Sequence, residues 1–187
     1  MVNKDIVLTK YIPKEKLDEF NILDLSEYDP NKPTILLADD YESIILLLKR
    51  LVSRLKLEIN FNVVYASKQD SIYKIIRTLY LIDEFKIDIV ITDITYGGAF
   101  HIGDTNYYFD GIDLIKILLE LNPALIYKFI TGHRVDMRST PDFYDKFKTY
   151  NKKEVLDKFI EFKDKQLSTN KDLILNMLIG TKYESLI

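Results

Sequence analysis

The sequence predicts an α/β fold, a five-stranded parallel sheet doubly wound by helices on its two faces, with extensions at each end. Three observations predict it. Short apolar runs alternate with helical apolar spacing five times along the chain. Two of those runs, "TILLADD" and "IDIVITD", end in carboxylates. Turn chemistry separates the elements, most plainly "DPNKP" at 29–33 and "NP" at 122–123.

Taken in order, residues 1–33 form an N-terminal extension that is mixed and charged, with Pro13 placed to open a short helix through Phe20. The body covers 34–164. Ile35 to Ala38 reads as a buried strand. Ile44, Leu48, Leu51 and Leu55 then fall at helical spacing, with Ile45 and Val52 beside them. Phe61 to Ala66 reads as the second strand, and Ile72, Ile75, Ile76, Leu79 and Ile82 mark the second helix. The third strand is 87–93 and ends in Asp93. A polar, glycine-containing segment follows at 94–109, and a helix begins near Asp110. "ALIYKFITGH" predicts a fourth strand that reaches Thr131. Pro141 prevents one continuous helix after it. Phe147 to Asn151 suits a fifth strand, and a helix begins around Leu156, Phe159 and Ile160. The C-terminal extension, 165–187, carries a short apolar helix at 171–178 closed by Gly180.

Composition limits the function classes. The chain has 187 residues and is 47% hydrophobic, enough for a sizeable core. With 26 basic and 29 acidic residues the net charge is −3, so no basic excess points to nucleic acid. There is no cysteine, which removes disulfides, thiolate metal sites and thiol nucleophiles. No apolar run approaches the roughly 20 residues of a membrane span. A cytoplasmic protein with neither membrane nor nucleic-acid partners is the expectation.

In a parallel sheet with right-handed crossovers, all strand C-terminal ends lie on one edge, where ligands bind. Asp39, Asp40 and Asp93 all follow strands, so all three converge there. Two like unit charges about 4 Å apart repel by roughly 4 kcal/mol at an effective dielectric of 20. Three carboxylates in one pocket therefore call for a cation, and an all-oxygen set suits Mg²⁺. Thr131, at the end of the fourth strand, offers a hydroxyl to the same edge, and Lys152, after the fifth, offers balancing charge. A local reading competes: Asp40 in the position of a helix cap. His101 and His133 set no metal spacing.

Together these residues resemble the receiver domain of two-component response regulators, over about Thr34 to Lys163. "LLADD" resembles its acidic pair, "VITD" its phosphoacceptor strand, "ITG" its switch residue and "NKKEV" its lysine and last helix start. The resemblance implies a flavodoxin-like fold and a phosphoryl group accepted on Asp93 from a histidine kinase or phosphotransfer protein. It implies Mg²⁺ held by Asp39, Asp40, Asp93 and the backbone carbonyl of Thr95, with Thr131 and Lys152 on the phosphoryl oxygens. The lysine is Lys153 if the register shifts by one, and the aromatic-switch position is then Tyr150 instead of Thr149. The implied protein is a regulator rather than an enzyme, limited to self-catalysed phosphorylation and dephosphorylation. Its output is protein–protein contact with a downstream partner or a second copy. Two departures stand out: the usual proline after the lysine is absent, and Asp110-Gly111 comes late, so that 94–109 reads as an insertion beside the site. Two rivals follow: a degenerate receiver that is not phosphorylated, and a Mg²⁺-dependent phosphohydrolase with an aspartate nucleophile. The contiguous acidic pair counts against the second, whose acids usually stand as D-x-D.

Overall fold

A computed structural model describes residues 4–93, 99–102, 105–108, 110–129 and 172–187. Its centre is a parallel sheet of β1 (Thr34–Ala38), β2 (Asn62–Ala66), β3 (Ile89–Thr92) and β6 (Ile126–Phe129), in the order β2-β1-β3-β6. Between these strands run α3 (Glu42–Arg54), α4 (Gln69–Leu81) and α5 (Gly111–Leu121). The proposed fifth strand at 147–151 and the helix after it lie outside the described residues.

β1 and β3 are buried at every position because strands and helices enclose them on both sides. β2 is half-buried along its middle, as suits its place at the sheet margin. Side chains alternate across the sheet and feed two cores. Leu36, Val90 and Tyr127 join α4 and α5 on one face; Ile35, Ile89 and Ile91 join α3 on the other. The periodic positions of α3 named from sequence, Ile45, Leu48, Leu51 and Val52, all face the second core.

The extensions complete these cores. α1 (Lys4–Tyr11) and α2 (Lys14–Asp18) form a further layer against α4 and α5, with Leu8, Ile12 and Leu17 buried in the first core. Phe20 stacks on Tyr73 with ring centroids 4.7 Å apart, and the Leu23 amide donates to Thr78 Oγ1 at 2.9 Å. α6 (Asp172–Leu178) and Tyr183 enter the second core. Tyr183 Oη donates to Asp88 Oδ1 at 3.1 Å, while Asp88 Oδ2 accepts the Thr34 amide at 3.0 Å, so one carboxylate joins the tail to the start of β1.

Two local expectations are corrected, and one segment gains structure the sequence reading does not assign. The helix expected from Pro13 through Phe20 stops at Asp18, and Pro13 is its N-cap; a separate helix, α1, precedes it. β2 begins at Asn62 because Phe61 still accompanies the 3₁₀ turn at Leu57–Ile59, donating its amide to Leu57 O at 2.9 Å. The 94–109 segment contains an antiparallel hairpin, β4 (Ala99–Ile102) and β5 (Thr105–Tyr108), in a sheet of its own. Period-two patterning is weak in "AFHIGDTNYY", and the one local signal is the Gly103-Asp104 pair between the two runs, which the strand reading passes over.

Candidate phosphoacceptor and metal site

The ladder hydrogen bonds of β1 continue one residue past each strand end. The Asp39 amide donates to Ala66 O and the Asp93 amide to Ala38 O, both at 3.0 Å. These bonds place Asp39 and Asp93 on adjacent strands at the same edge. In the order β2-β1-β3-β6 the chain reverses direction across the sheet between β1 and β3, and crevices for ligands open at that switch point. Asp39 and Asp93 flank it.

Asp39, Asp40 and Asp93 each bring one carboxylate oxygen to within 4.8 Å of the others. Asp39 is 1% exposed and Asp93 2%, whereas Asp40 opens to solvent. Asp39 Oδ1 accepts the Tyr41 amide at 2.8 Å. Asp39 Oδ2 and Asp93 Oδ1 are buried atoms that accept no hydrogen bond, although both residues have further interactions. Asp40 is not the cap of α3: Tyr41 occupies that position with no side-chain capping bond.

The donor set fits a small hard divalent cation. It is all carboxylate oxygen, it carries like charges that a cation would relieve, and one member faces water. Mg²⁺ takes one or two carboxylates and keeps several waters, a demand this cluster meets.

Sequence reasoning missed two residues that hold Asp93. Thr92 Oγ1 donates to the Asp93 carbonyl at 3.1 Å within the protein interior. Gly111 opens α5 against the same carbonyl. A Cβ on Gly111 would overlap that oxygen and lie 3.0 Å from both the carbonyl carbon and Thr92 Oγ1. The chain thus leaves at Asp93, makes the 94–109 excursion and returns into contact with its point of departure. Asp110 fixes the return: its Oδ1 accepts the amides of Ile112 (2.9 Å) and Asp113 (3.0 Å), closing a capping box with Asp113. The Asp-Gly pair was visible in the sequence; the contact with a residue far back in the chain was not.

Thr95, Thr131, Lys152 and Lys153 lie outside the described residues, as do Thr149 and Tyr150. Among the described residues, no helix is long and apolar enough to cross a membrane.

No protein-family description and no curated protein matches the chain. Solved structures similar to it are receiver domains and response regulators. The non-phosphorylated receiver domain of the stress response regulator RcsB from Escherichia coli is 20% identical, covers 78% of this chain and 91% of its own, and superposes with a TM-score of 0.47. The isolated REC domain of RcsB from Salmonella enterica serovar Typhimurium, in the presence of phosphomimetic BeF3⁻, is 22% identical over 68% of this chain and 72% of its own, with a TM-score of 0.40. A response regulator receiver protein from Sinorhizobium medicae WSM419 is 22% identical over 76% of this chain and 99% of its own, with a TM-score of 0.39. The described part of the chain, a parallel sheet in the order β2-β1-β3-β6 with helices on both faces, is by its own topology a doubly wound, flavodoxin-like α/β arrangement.

Proposed function

We propose that the protein is a receiver-type signalling switch that accepts a phosphoryl group on Asp93. The observation that carries the reading is the meeting of Asp39, Asp40 and Asp93 at the β1/β3 switch point of the sheet. An ionised carboxylate needs no base to act as a nucleophile. An Asp93 oxygen attacks phosphorus, the bond from phosphorus to the donor breaks, and the electron pair leaves with the donor's histidine nitrogen. The product is an acyl phosphate.

In this reading Asp39, Asp40, Asp93 and the carbonyl of Thr95 hold Mg²⁺. When bound, the cation supplies charge neutralisation at the transferring group. Asp39 keeps Oδ1 on the Tyr41 amide, so its orientation is set by the first turn of α3. Thr131 and Lys152, or Lys153 in the shifted register, contact the phosphoryl oxygens. The new charge then biases a two-state element around the fourth strand. The phosphodonor is a histidine kinase or phosphotransfer protein, the output is contact with a downstream protein or a second copy, and the setting is cytoplasmic.

Incubation with acetyl phosphate and Mg²⁺, followed by intact mass measurement, tests the proposal. One added phosphate on the wild type and none on Asp93→Asn is the expected result. Equal uptake by both removes Asp93 from the role. No uptake by the wild type, with Mg²⁺ still bound, favours the non-phosphorylated receiver. Steady turnover of a phosphomonoester favours the phosphohydrolase.

A further inference from the structure

We propose that Thr92 and Gly111 are positioning residues for Asp93, acting as a clamp on its main-chain carbonyl; this rests on the phosphoacceptor reading above. The Asp93 carboxylate is reached through one Cα, and that Cα is fixed from both sides. Upstream, the Asp93 amide is tied to Ala38 O at 3.0 Å, which locks it to β1. Downstream, its carbonyl accepts the Thr92 hydroxyl at 3.1 Å and lies against the α-carbon of Gly111. Any side chain at position 111 would need the space that the carbonyl occupies, so only glycine permits this approach.

The clamp is built from buried parts. Thr92 is fully buried in β3 and Gly111 is buried at the start of α5. The helix is held in turn by its capping box and by Ile112, Leu114 and Ile117 in the core. It also bears on the long connection that follows Asp93. The connection after Asp93 is lengthened by 94–109, and a long connection restrains the residue before it poorly. With the clamp, the return of the chain at Gly111 restores the restraint that a short connection would have provided. The consequence is catalytic because displacing a reacting group by about 1 Å can cost on the order of a hundredfold in rate.

Two variants test the clamp. Thr92→Val keeps the shape of the side chain and deletes the hydroxyl donor; Gly111→Ala forces the carbonyl away. Leu118→Ala, in the core on the same helix, serves as a control for loss of stability alone. Phosphate uptake from acetyl phosphate is followed by intact mass at varied donor concentration, with thermal midpoints and Mg²⁺ titration alongside. The expected result is a fall of about tenfold in the saturating uptake rate for Thr92→Val and about a hundredfold for Gly111→Ala. The half-saturating donor concentration stays near the wild-type value, because the donor's own contacts are untouched. Leu118→Ala melts earlier and takes up phosphate at the wild-type rate. Wild-type rates in Thr92→Val overturn the clamp, as does equal slowing in Leu118→Ala. Thr92→Val decides alone if Gly111→Ala does not fold. If the wild type takes up no phosphate, the phosphoacceptor reading fails by itself, and Mg²⁺ affinity becomes the readout. Weaker Mg²⁺ binding in Thr92→Val then supports the clamp, and unchanged or absent binding overturns it.

Discussion

The amide of Tyr41 donates to Oδ1 of Asp39 at 2.8 Å, and this bond separates the roles of two adjacent aspartates. Asp39 serves the start of α3 from inside the protein, while Asp40 does no capping and brings its carboxylate to Asp39 and Asp93. Three negative groups at this spacing repel, by roughly 4 kcal/mol for a pair at about 4 Å and an effective dielectric of 20. Mg²⁺ is therefore expected to raise the thermal midpoint of the wild type. Asp40→Asn should bind Mg²⁺ at least about tenfold more weakly, a difference of about 1.4 kcal/mol, and should gain less stability from it. Calorimetric titration and melting with and without Mg²⁺ check this; an Asp40→Asn variant that matches the wild type in both would sink it.

The end of α5 is gripped by the N-terminal extension. Glu120 Oε1 accepts Tyr11 Oη at 2.6 Å and Lys10 Nζ at 2.9 Å. Burial pushes the Glu120 carboxyl up, but the hydrogen bonds from Tyr11 and Lys10 and the Lys10 charge outweigh it and hold the group below its ordinary value. A lowered folded-state value means that ionised Glu120 adds stability above the carboxyl's unfolded pKa. That contribution fades as pH falls through the folded value. The stability gap between wild type and Glu120→Gln should thus be open at pH 7 and should close on acidification below about pH 4. Denaturant melts at several pH values measure the gap.

Leu8 in α1 and Leu178 in α6 are both 0% exposed, one in each core. Leu8→Ala and Leu178→Ala should each cost about 2–5 kcal/mol, the range for deleting a buried leucine side chain. Urea unfolding gives the number. A loss under about 0.5 kcal/mol for either would mean that its extension contributes little to the folded core.

The contact between Gly111 and Asp93 brings the two ends of the 94–109 excursion together, so the excursion is expected to be dispensable for the fold. Replacing 95–108 with a short glycine-containing turn should leave stability unchanged or raise it by about 1 kcal/mol, since each halving of a flexible loop recovers about 0.6 kcal/mol of closure entropy. The same variant should lose bound phosphate at a different rate from the wild type if the hairpin governs access to Asp93. A shortened chain that unfolds at markedly lower denaturant would contradict the first expectation, and unchanged phosphate loss the second.

Several features were legible from residues alone. Four strands, three amphipathic helices between them, the helix start at Asp110 and the tail helix closed by Gly180 all rest on interactions between near neighbours in sequence: periodicity, capping and a residue with φ +77°. The convergence of Asp39, Asp40 and Asp93 was also legible, because parallel strands must end on one edge. Other features had no local signature. Lys4–Tyr11 has no clear apolar face, and it folds as a helix whose Leu8 is covered by α4 and α5. Asp40 is a capping residue type one position before the N-cap of α3, yet its place in the acidic cluster depends on the end of β3, about fifty positions away. Gly111 and Thr92 close on the Asp93 carbonyl across an insertion whose length hides their proximity. Strands, caps and turns follow from short-range sterics and hydrogen bonding, so the sequence alone determined the four described strands and their acidic edge. The layer of N-terminal helices and the clamp on Asp93 depend on surfaces that exist only once distant elements have packed, and tertiary structure alone decided them.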